Sequence, residues 1–243
     1  MSSVISPELR IADAPEQSAG QCSEYVVSAL RQTVELEGRA TIAISGGSTP
    51  RLLFADMAKA SLDWSRVHFF WVDERCVPPD NKDSNFKLAN ETLFIPAKVP
   101  AGSIHRIYGE LPPPEGSSRY VAEIKKFFGL KDGELPVFDV LHRGMGPDAH
   151  TASLFPGEPL IKDETGIASN VWVEKMKMHR VTLLPGVLRA ARRTVLEVAG
   201  DDKAEAVHEV LRGPEDLFKY PCQIASRDAR AVWFLDKAAA SKL

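Results

Sequence analysis

The sequence is poor in the features that mark several classes of protein. Its 3 cysteines, Cys22, Cys76 and Cys222, lie far apart in 243 residues and form no CxxC pair, which argues against a disulfide framework or a cysteine-rich metal site. No apolar run approaches the roughly 18 residues of a membrane span. With 30 Lys and Arg against 33 Asp and Glu, the chain lacks the basic excess of a nucleic-acid-binding protein. Any anionic substrate must therefore be held by a local group of cations.

What remains is an ordinary globular composition, 44% hydrophobic and 26% charged, which predicts one α/β domain over residues 1–243. The N-terminal segment MSSVISPELR lacks the apolar run of a signal peptide. We therefore expect a cytoplasmic protein that binds neither membranes nor nucleic acid. The C-terminal Ser241-Lys242-Leu243 matches a peroxisomal targeting signal, which would matter only in a cell with peroxisomes.

Apolar strand-like runs alternate with amphipathic helical segments along the chain. The predicted strands are 40–45, 67–72, 136–141, 171–175, 180–184, 193–200 and 231–236, and the predicted helices are 15–37, 51–60, 84–94, 116–129 and 201–213. This alternation predicts a Rossmann-like, mostly parallel sheet with helices on both faces. Ligands of such sheets bind in the loops after the carboxyl ends of the strands. The decisive loops are then 45–50, 73–84, 144–156 and 199–203.

The first loop carries Gly46, Gly47, Ser48 and Thr49 directly before a helix. Glycines let backbone N–H groups approach a ligand, and a helix N-terminus favours an anion such as phosphate. The lysine of a P-loop is missing. A plain tight turn with a Ser/Thr cap is the alternative.

Two other loops offer cations. Arg75 follows Asp73 and Glu74 after an apolar strand, and its planar guanidinium suits phosphate or carboxylate. Lys203 stands where a strand gives way to a helix, a second cation for a phosphate. Solvated charges are the alternative in both places.

The loop from Gly144 through Gly146 to Ala149 matches the dinucleotide pattern G-x-G-x-x-A. Pro156-Gly157 leaves too little chain for the helix that should follow. More telling are Asp148 and His150, because a histidine beside backbone N–H groups can act as a base near neutral pH. A capping aspartate and an incidental surface histidine are the alternative. We also expect His105 and His208 to be surface residues.

Together these segments strongly resemble the 6-phosphogluconolactonase family. The resemblance runs through AISGGSTPRLLF, WVDERCVPPDNKDSNFKLANETLF, GMGPDAHTASLFPG, RVTLLPGVLRAARRTVLEVAGDDKAEAVHEVL and AVWFLDKAAA. It implies hydrolysis of 6-phosphoglucono-1,5-lactone to 6-phosphogluconate in the oxidative pentose phosphate pathway, without metal or organic cofactor. It also implies the α/β fold shared with sugar-phosphate isomerases and glucosamine-6-phosphate deaminase.

By the same resemblance, the family's catalytic histidine falls on His150 and its phosphate-binding residues on Arg75 and Lys203. The glycine-rich turn falls on 46–49, and the arginine of the later RVTL strand falls on Arg180. For the chemistry we expect the 144–149 backbone, including Gly144 and Gly146, to stabilise the developing charge, alone or together with Arg180. Asp148 would either orient His150 or cap a short helix.

This chain departs from the family pattern at three places. Ala149 replaces a glycine, RVTLLPG replaces RVTLTLP, and the strand before the histidine loop closes with His142-Arg143. A positive φ at Ala149 would strain the loop and displace His150. Two rival functions remain: a glucosamine-6-phosphate deaminase or isomerase, whose loop would continue DGHIAFNEP, and a sugar-phosphate sensor, which should lack the histidine.

Overall fold

The structure, a computed structural model, describes residues 6–47 and 49–243. Its main sheet has six strands, all parallel, in the order β1-β9-β8-β5-β2-β3. These strands are β1 (Glu8–Ala12), β2 (Ala40–Ile44), β3 (Val67–Trp71), β5 (Val140–Arg143), β8 (Thr194–Val198) and β9 (Ala231–Asp236). The predicted parallel α/β sheet is confirmed.

The helices connect these strands and cover the sheet. They are α1 (Pro15–Glu37), α2 (Pro50–Met57), α3 (Asn85–Ala89), α4 (Pro113–Phe128), α5 (Pro185–Ala190) and α6 (Ala204–Arg212). Helix α1 has the predicted bounds, because Pro15 suits a first helical turn and Gly38 ends the helix with φ 81°. None of the helices described is both long and apolar enough to cross a bilayer.

A second, antiparallel sheet was not predicted. It consists of β4 (Asp73–Arg75), β7 (Met178–Leu183) and β6 (Ala168–Val173), in that order. Strand β4 has only three residues, all charged, so it carries no alternation of polar and apolar side chains that could indicate a strand. The edge strand β1 was missed for a similar reason, since its ELRIA segment is only partly buried.

Two predictions near the site need correction. The strand expected at 136–141 forms instead at Val140–Arg143; it closes with His142 and Arg143, and both are completely buried. His105 is not a surface residue: its ring stacks on Phe70 at 4.4 Å between centroids and its side chain is 10% exposed.

The sheet order brings the predicted loops together. Strands β2, β5 and β8 are neighbours, so the segments that follow them share one edge of the sheet. Segment 73–85 joins them, since Val72 N–H donates to Ile44 O at 2.8 Å and Leu183 N–H donates to Val72 O at 2.8 Å. That residues 1–243 form a single domain stays a prediction.

Candidate active site

A cavity of about 270 Å³ opens at this edge of the sheet. Among its lining residues are Gly46, Gly47, Thr49, Arg75, Gly144, Gly146, His150, Arg180 and Lys203. Ser48, also predicted for the site, lies outside the described residues. Of the predicted residues that the structure describes, Asp148 alone does not line the cavity, and it contacts His150 from behind. All four predicted loops therefore contribute to one site.

Arg75 is held by a buried carboxylate beside it in the chain. Glu74 accepts hydrogen bonds from the backbone N–H groups of Arg75, Asn85 and Phe86, each at 2.7 Å, and from the Ser84 hydroxyl at 3.0 Å. Asp73 and Glu74 are each 3% exposed, so the alternative of a solvated charge cluster is wrong for them. The Arg75 guanidinium donates to Asp83 O at 2.5 Å and reaches the cavity.

Arg180 lies directly opposite Arg75 in the pairing of β4 with β7. Its guanidinium is 3.6 Å from Asp73 Oδ2 and 3.4 Å from Ser153 Oγ. Burial lowers the pKa of Arg180, and the Asp73 carboxylate opposes that shift. The nearby Glu74 carboxylate opposes the shift as well, and the Arg75 guanidinium adds to it.

Lys203 supplies the third cation from the opposite wall. It follows β8 through Gly200, whose φ of 101° is open mainly to glycine. It stands at the N-terminal boundary of α6, where the helix dipole adds positive potential. Its ammonium group pairs with Asp202, an exposed residue that a bound anion can compete with.

His150 and Asp148 form a close pair. The imidazole Nδ1–H donates to Asp148 Oδ1 at 2.5 Å, and the ring stacks on Phe155 with 4.1 Å between centroids. Burial would raise the pKa of Asp148, but hydrogen bonds and charge from His150, with Lys175 at 3.6 Å, hold that pKa well below its usual range. The Asp148 carboxylate is thus placed to accept a hydrogen bond from the imidazole. Residues 144–158, all described, contain no helix for it to cap.

Two backbone positions set the shape of this loop. A Cβ at Gly146 would lie 2.0 Å from His150 Nδ1, so only glycine lets the imidazole sit so close to the backbone. Ala149 has φ 62°, the positive value that we expected to strain the loop. For a residue with a Cβ this conformation costs about 1–2 kcal/mol. His150 nevertheless lines the cavity, because Cys222 N–H donates to Ala149 O at 2.9 Å and holds the loop.

The loop's N–H groups are largely used within the loop. Gly146 N–H donates to His150 O and Ala149 N–H to Gly146 O, both at 2.9 Å. His150 N–H is directed at Asp148 Oδ1 at 3.3 Å. Because these donors are engaged, our expectation that Gly146 and Ala149 N–H groups stabilise a developing charge needs revision. Arg180 is the better placed donor, since its guanidinium and His150 flank the same Phe155 ring.

The first loop lies against α3. A Cβ on Gly46 would fall 1.9 Å from Asn85 Oδ1, so glycine is required for this close approach. Asn85 Nδ2 donates to Asp73 O at 2.8 Å, which joins the first loop to the second. Among the described residues, the Thr49 side chain makes no capping bond at the start of α2. Pro50 has no N–H and Leu52 N–H donates to Thr49 O at 3.3 Å, so the donors that this turn can offer to an anion are the N–H groups of Thr49 and Arg51.

Sequence reasoning missed several residues of this site. Asp73, Asn85 and Met176 also line the cavity, and Phe155 supports His150. Asp73 was noticed only as part of a charged triplet, and no local pattern indicates the other three. Arg143 was noticed as a departure; it is buried, and it donates to Thr151 Oγ1 at 3.2 Å and to Ile224 O, which anchors the histidine loop.

Comparisons with known proteins give one consistent result. The family model described as "Glucosamine-6-phosphate isomerases/6-phosphogluconolactonase" matches residues 13–233. A 6-phosphogluconolactonase of Nostoc sp. is 35% identical over 234 residues, 94% of this chain and 96% of that protein. One from Haemophilus influenzae is 36% identical over 203 residues, 82% of this chain and 85% of that protein.

Solved structures agree with the sequence comparisons. The 6-phosphogluconolactonase of Thermotoga maritima is 26% identical with a TM-score of 0.83, covering 95% of this chain and 100% of that one. A monomeric glucosamine-6-phosphate deaminase has the same TM-score of 0.83 at 16% identity, over 97% of this chain and 100% of its own, and shows the shared fold. The resemblance seen in the sequence is confirmed: the chain belongs to the glucosamine-6-phosphate isomerase/6-phosphogluconolactonase family.

Proposed function

We propose that the protein is a 6-phosphogluconolactonase, which hydrolyses 6-phospho-D-glucono-1,5-lactone to 6-phospho-D-gluconate. The observation that carries the proposal is that His150 lines the same cavity as three cations, Arg75, Arg180 and Lys203. A phosphorylated lactone needs both parts, a base for water and positive charge for the phosphate. Relatives of this name are 35% and 36% identical to the chain.

In this proposal the phosphate lies between Arg75 and Lys203. Arg75 offers a planar set of donors and Lys203 a point charge beside the N-terminus of α6. The backbone N–H groups of Thr49 and Arg51 complete the anion site, since Pro50 between them has no N–H. Binding at the far end of the sugar phosphate positions the lactone carbonyl, and positioning of this kind lowers the barrier by restricting the reactants in advance.

His150 acts as the general base. Its Nδ1–H is donated to Asp148, which leaves Nε2 with a lone pair to accept a proton from water. Asp148 stays ionised, fixes this tautomer and compensates the imidazolium that forms. The stacked Phe155 ring restricts the plane of the imidazole.

The reaction follows in two steps. Water attacks the lactone carbonyl carbon as His150 Nε2 takes one of its protons, and the negative charge that develops on the carbonyl oxygen is stabilised by Arg180. The bond between this carbon and the ring oxygen then breaks, and the imidazolium returns the proton to the departing ring oxygen. The product is the open-chain acid, which ionises to 6-phosphogluconate.

The test is hydrolysis of freshly prepared lactone, followed against its spontaneous hydrolysis and repeated with EDTA. We expect activity in both samples, since the proposed chemistry uses side chains alone. Activity that disappears with EDTA while a thermal melt shows the protein still folded, and that returns with a divalent ion, would contradict this metal-free mechanism. A lack of any acceleration over spontaneous hydrolysis would overturn the proposed function.

Two further assays separate the rivals. Ammonia release from glucosamine-6-phosphate would identify a deaminase, and we expect none, because His150 is followed by TASLFPG rather than IAFNEP. Binding of 6-phosphogluconate without turnover of the lactone would identify a sensor. The presence of His150 in the cavity argues for turnover.

A further inference from the structure

A group of three ionisable side chains lies in the core just below the active-site cavity. Cys22 of α1, His142 of β5 and Glu197 of β8 are all buried, and each offers a ligand atom within 4.8 Å of the other two. The catalytic mechanism uses none of them. Their side chains are the three types, thiolate, imidazole and carboxylate, that bind zinc in proteins.

The group is not satisfied by its own hydrogen bonds. His142 Nε2 and Glu197 Oε2 are 3.3 Å apart. His142 Nδ1 and Glu197 Oε1 are both buried and have no hydrogen-bond partner within 6–47 and 49–243. Unpaired polar atoms in a protein interior destabilise the fold. The single hydrogen bond between His142 and Glu197 thus leaves the carboxylate with an oxygen that can accept a ligand.

We propose that Cys22, His142 and Glu197 bind one zinc-like divalent transition-metal ion.

Geometry and charge both support this assignment. Bonds of about 2.0–2.1 Å in a tetrahedral site hold neighbouring nitrogen and oxygen ligands about 3.3 Å apart, which is the separation of His142 Nε2 and Glu197 Oε2. A thiolate, a carboxylate and a neutral imidazole carry a charge of −2, so a divalent ion makes the buried group neutral. Neutrality removes the main cost of placing these side chains in the core.

A serine hydroxyl and the active-site cavity lie close to the group. Ser18 lies one turn before Cys22 on the same side of α1, is buried, and its hydroxyl has no partner in the described part of the chain. Glu197 also lines the active-site cavity, so the group lies beside that cavity. Burial and the nearby Glu197 raise the pKa of the Cys22 thiol, so the ion displaces a proton when it binds.

The test is cobalt binding to the whole protein, which reports the thiolate directly. The protein is stripped with a chelator and then titrated with Co²⁺, both folded and during refolding, so that slow entry does not hide the site. We expect one ion per chain, a sulfur-to-cobalt charge-transfer band in the near ultraviolet, and loss of that band when Zn²⁺ is added.

Matched variants show whether the band comes from this group. Cys222→Ala removes another completely buried thiol and should keep the band. Cys22→Ala should abolish it, and Glu197→Gln, which preserves side-chain volume, should weaken Co²⁺ binding more than about 100-fold, beyond the loss typical of an outer-shell partner. A thermal melt verifies that each variant is folded.

The proposal is overturned if the wild-type protein shows no charge-transfer band under either protocol. It is overturned equally if the band survives in Cys22→Ala. Neither result depends on lactone hydrolysis, so a failure here is distinguishable from a failure of the proposed function.

Discussion

Arg75 and Arg180 stand directly opposite each other across the β4–β7 pair, so their side chains extend from the same face of the second sheet. Like charges at opposite positions destabilise a sheet. Asp73 lies 3.6 Å from Arg180, and Asp73 and Glu74 both counter that repulsion. Both guanidinium groups line the cavity, where the proposed phosphorylated substrate would bring further negative charge.

The first prediction concerns this cationic wall. Arg75→Met and Lys203→Met should each lower kcat/KM by about 1.5–3 kcal/mol, roughly 10–150-fold, because each removes a charge-assisted contact. Both should lose discrimination against unphosphorylated gluconolactone, measured as the ratio of kcat/KM for the two substrates. Lys82→Met, an exposed cation in the same loop, controls for the change in net charge. Unchanged discrimination in both variants would show that the phosphate binds elsewhere.

The second prediction concerns the base. His150→Asn keeps hydrogen-bonding capacity but cannot accept a proton at neutral pH, so kcat should fall by about 10²–10⁴-fold. Binding of 6-phosphogluconate, measured by calorimetry, should change little because the cations are untouched. A folded variant within about threefold of wild-type kcat would remove His150 from the mechanism.

The third prediction is a pH dependence of stability. The folded pKa of Asp148 lies below its unfolded value of about 3.9. Its ionised form therefore stabilises the fold fully above about pH 5, and this contribution is lost as the pH falls through the folded pKa. Wild type should melt above Asp148→Asn at pH 7, and the two melting temperatures should converge toward pH 3.

Asp132→Asn is the control for that series, since the Asp132 side chain is fully exposed. It should melt close to wild type at both pH values. A gap between wild type and Asp148→Asn that is as large at pH 3 as at pH 7 would contradict the assigned role of the Asp148 carboxylate.

The fourth prediction concerns the strained residue next to the base. Ala149→Gly should relieve the cost of φ 62°, and after the loss of a buried methyl and of glycine's extra unfolded-state entropy we expect a gain of at most about 1 kcal/mol. That corresponds to an increase in Tm of up to about 2–4 °C. Ala43→Gly, in the buried strand β2, should instead lower Tm. A loss of more than about 4 °C in Ala149→Gly would show that the methyl group outweighs the strain.

The sequence predicted those parts of the fold that have local signals. Helix α1 is bounded by Pro15 and Gly38, and β9 is a six-residue apolar run, so both were predicted with their observed limits. The second sheet was missed because β4 is three charged residues whose pairing with β7 depends on chain more than 100 residues away. A pairing between strands this far apart in the chain cannot be predicted from the local sequence.

In the candidate site, too, the residues with local sequence signals were predicted and the others were missed. The loops that follow strands were recognisable, and with the family resemblance they indicated His150, Arg75, Arg180 and Lys203, which the structure brings to one cavity. Those assignments stay predictions until the variants are measured. The close approach of Asn85 to Gly46 could not be foreseen, because it depends on how two distant loops pack. The stacking of Phe155 on His150 could not be foreseen either, because it depends on a loop conformation that has no sequence pattern.

The position of β9 determines when β1 can join the sheet during folding. This last strand lies between β1 and β8, so the first strand of the chain has no neighbour in the sheet until residue 236 has been synthesised. During translation, β1 therefore cannot pair within the sheet until the segments carrying all four site loops have emerged from the ribosome. In pulse-labelled hydrogen exchange during refolding, we expect the amides of β1 to become protected together with those of β9 and no earlier; protection of β1 before β9 would contradict this order.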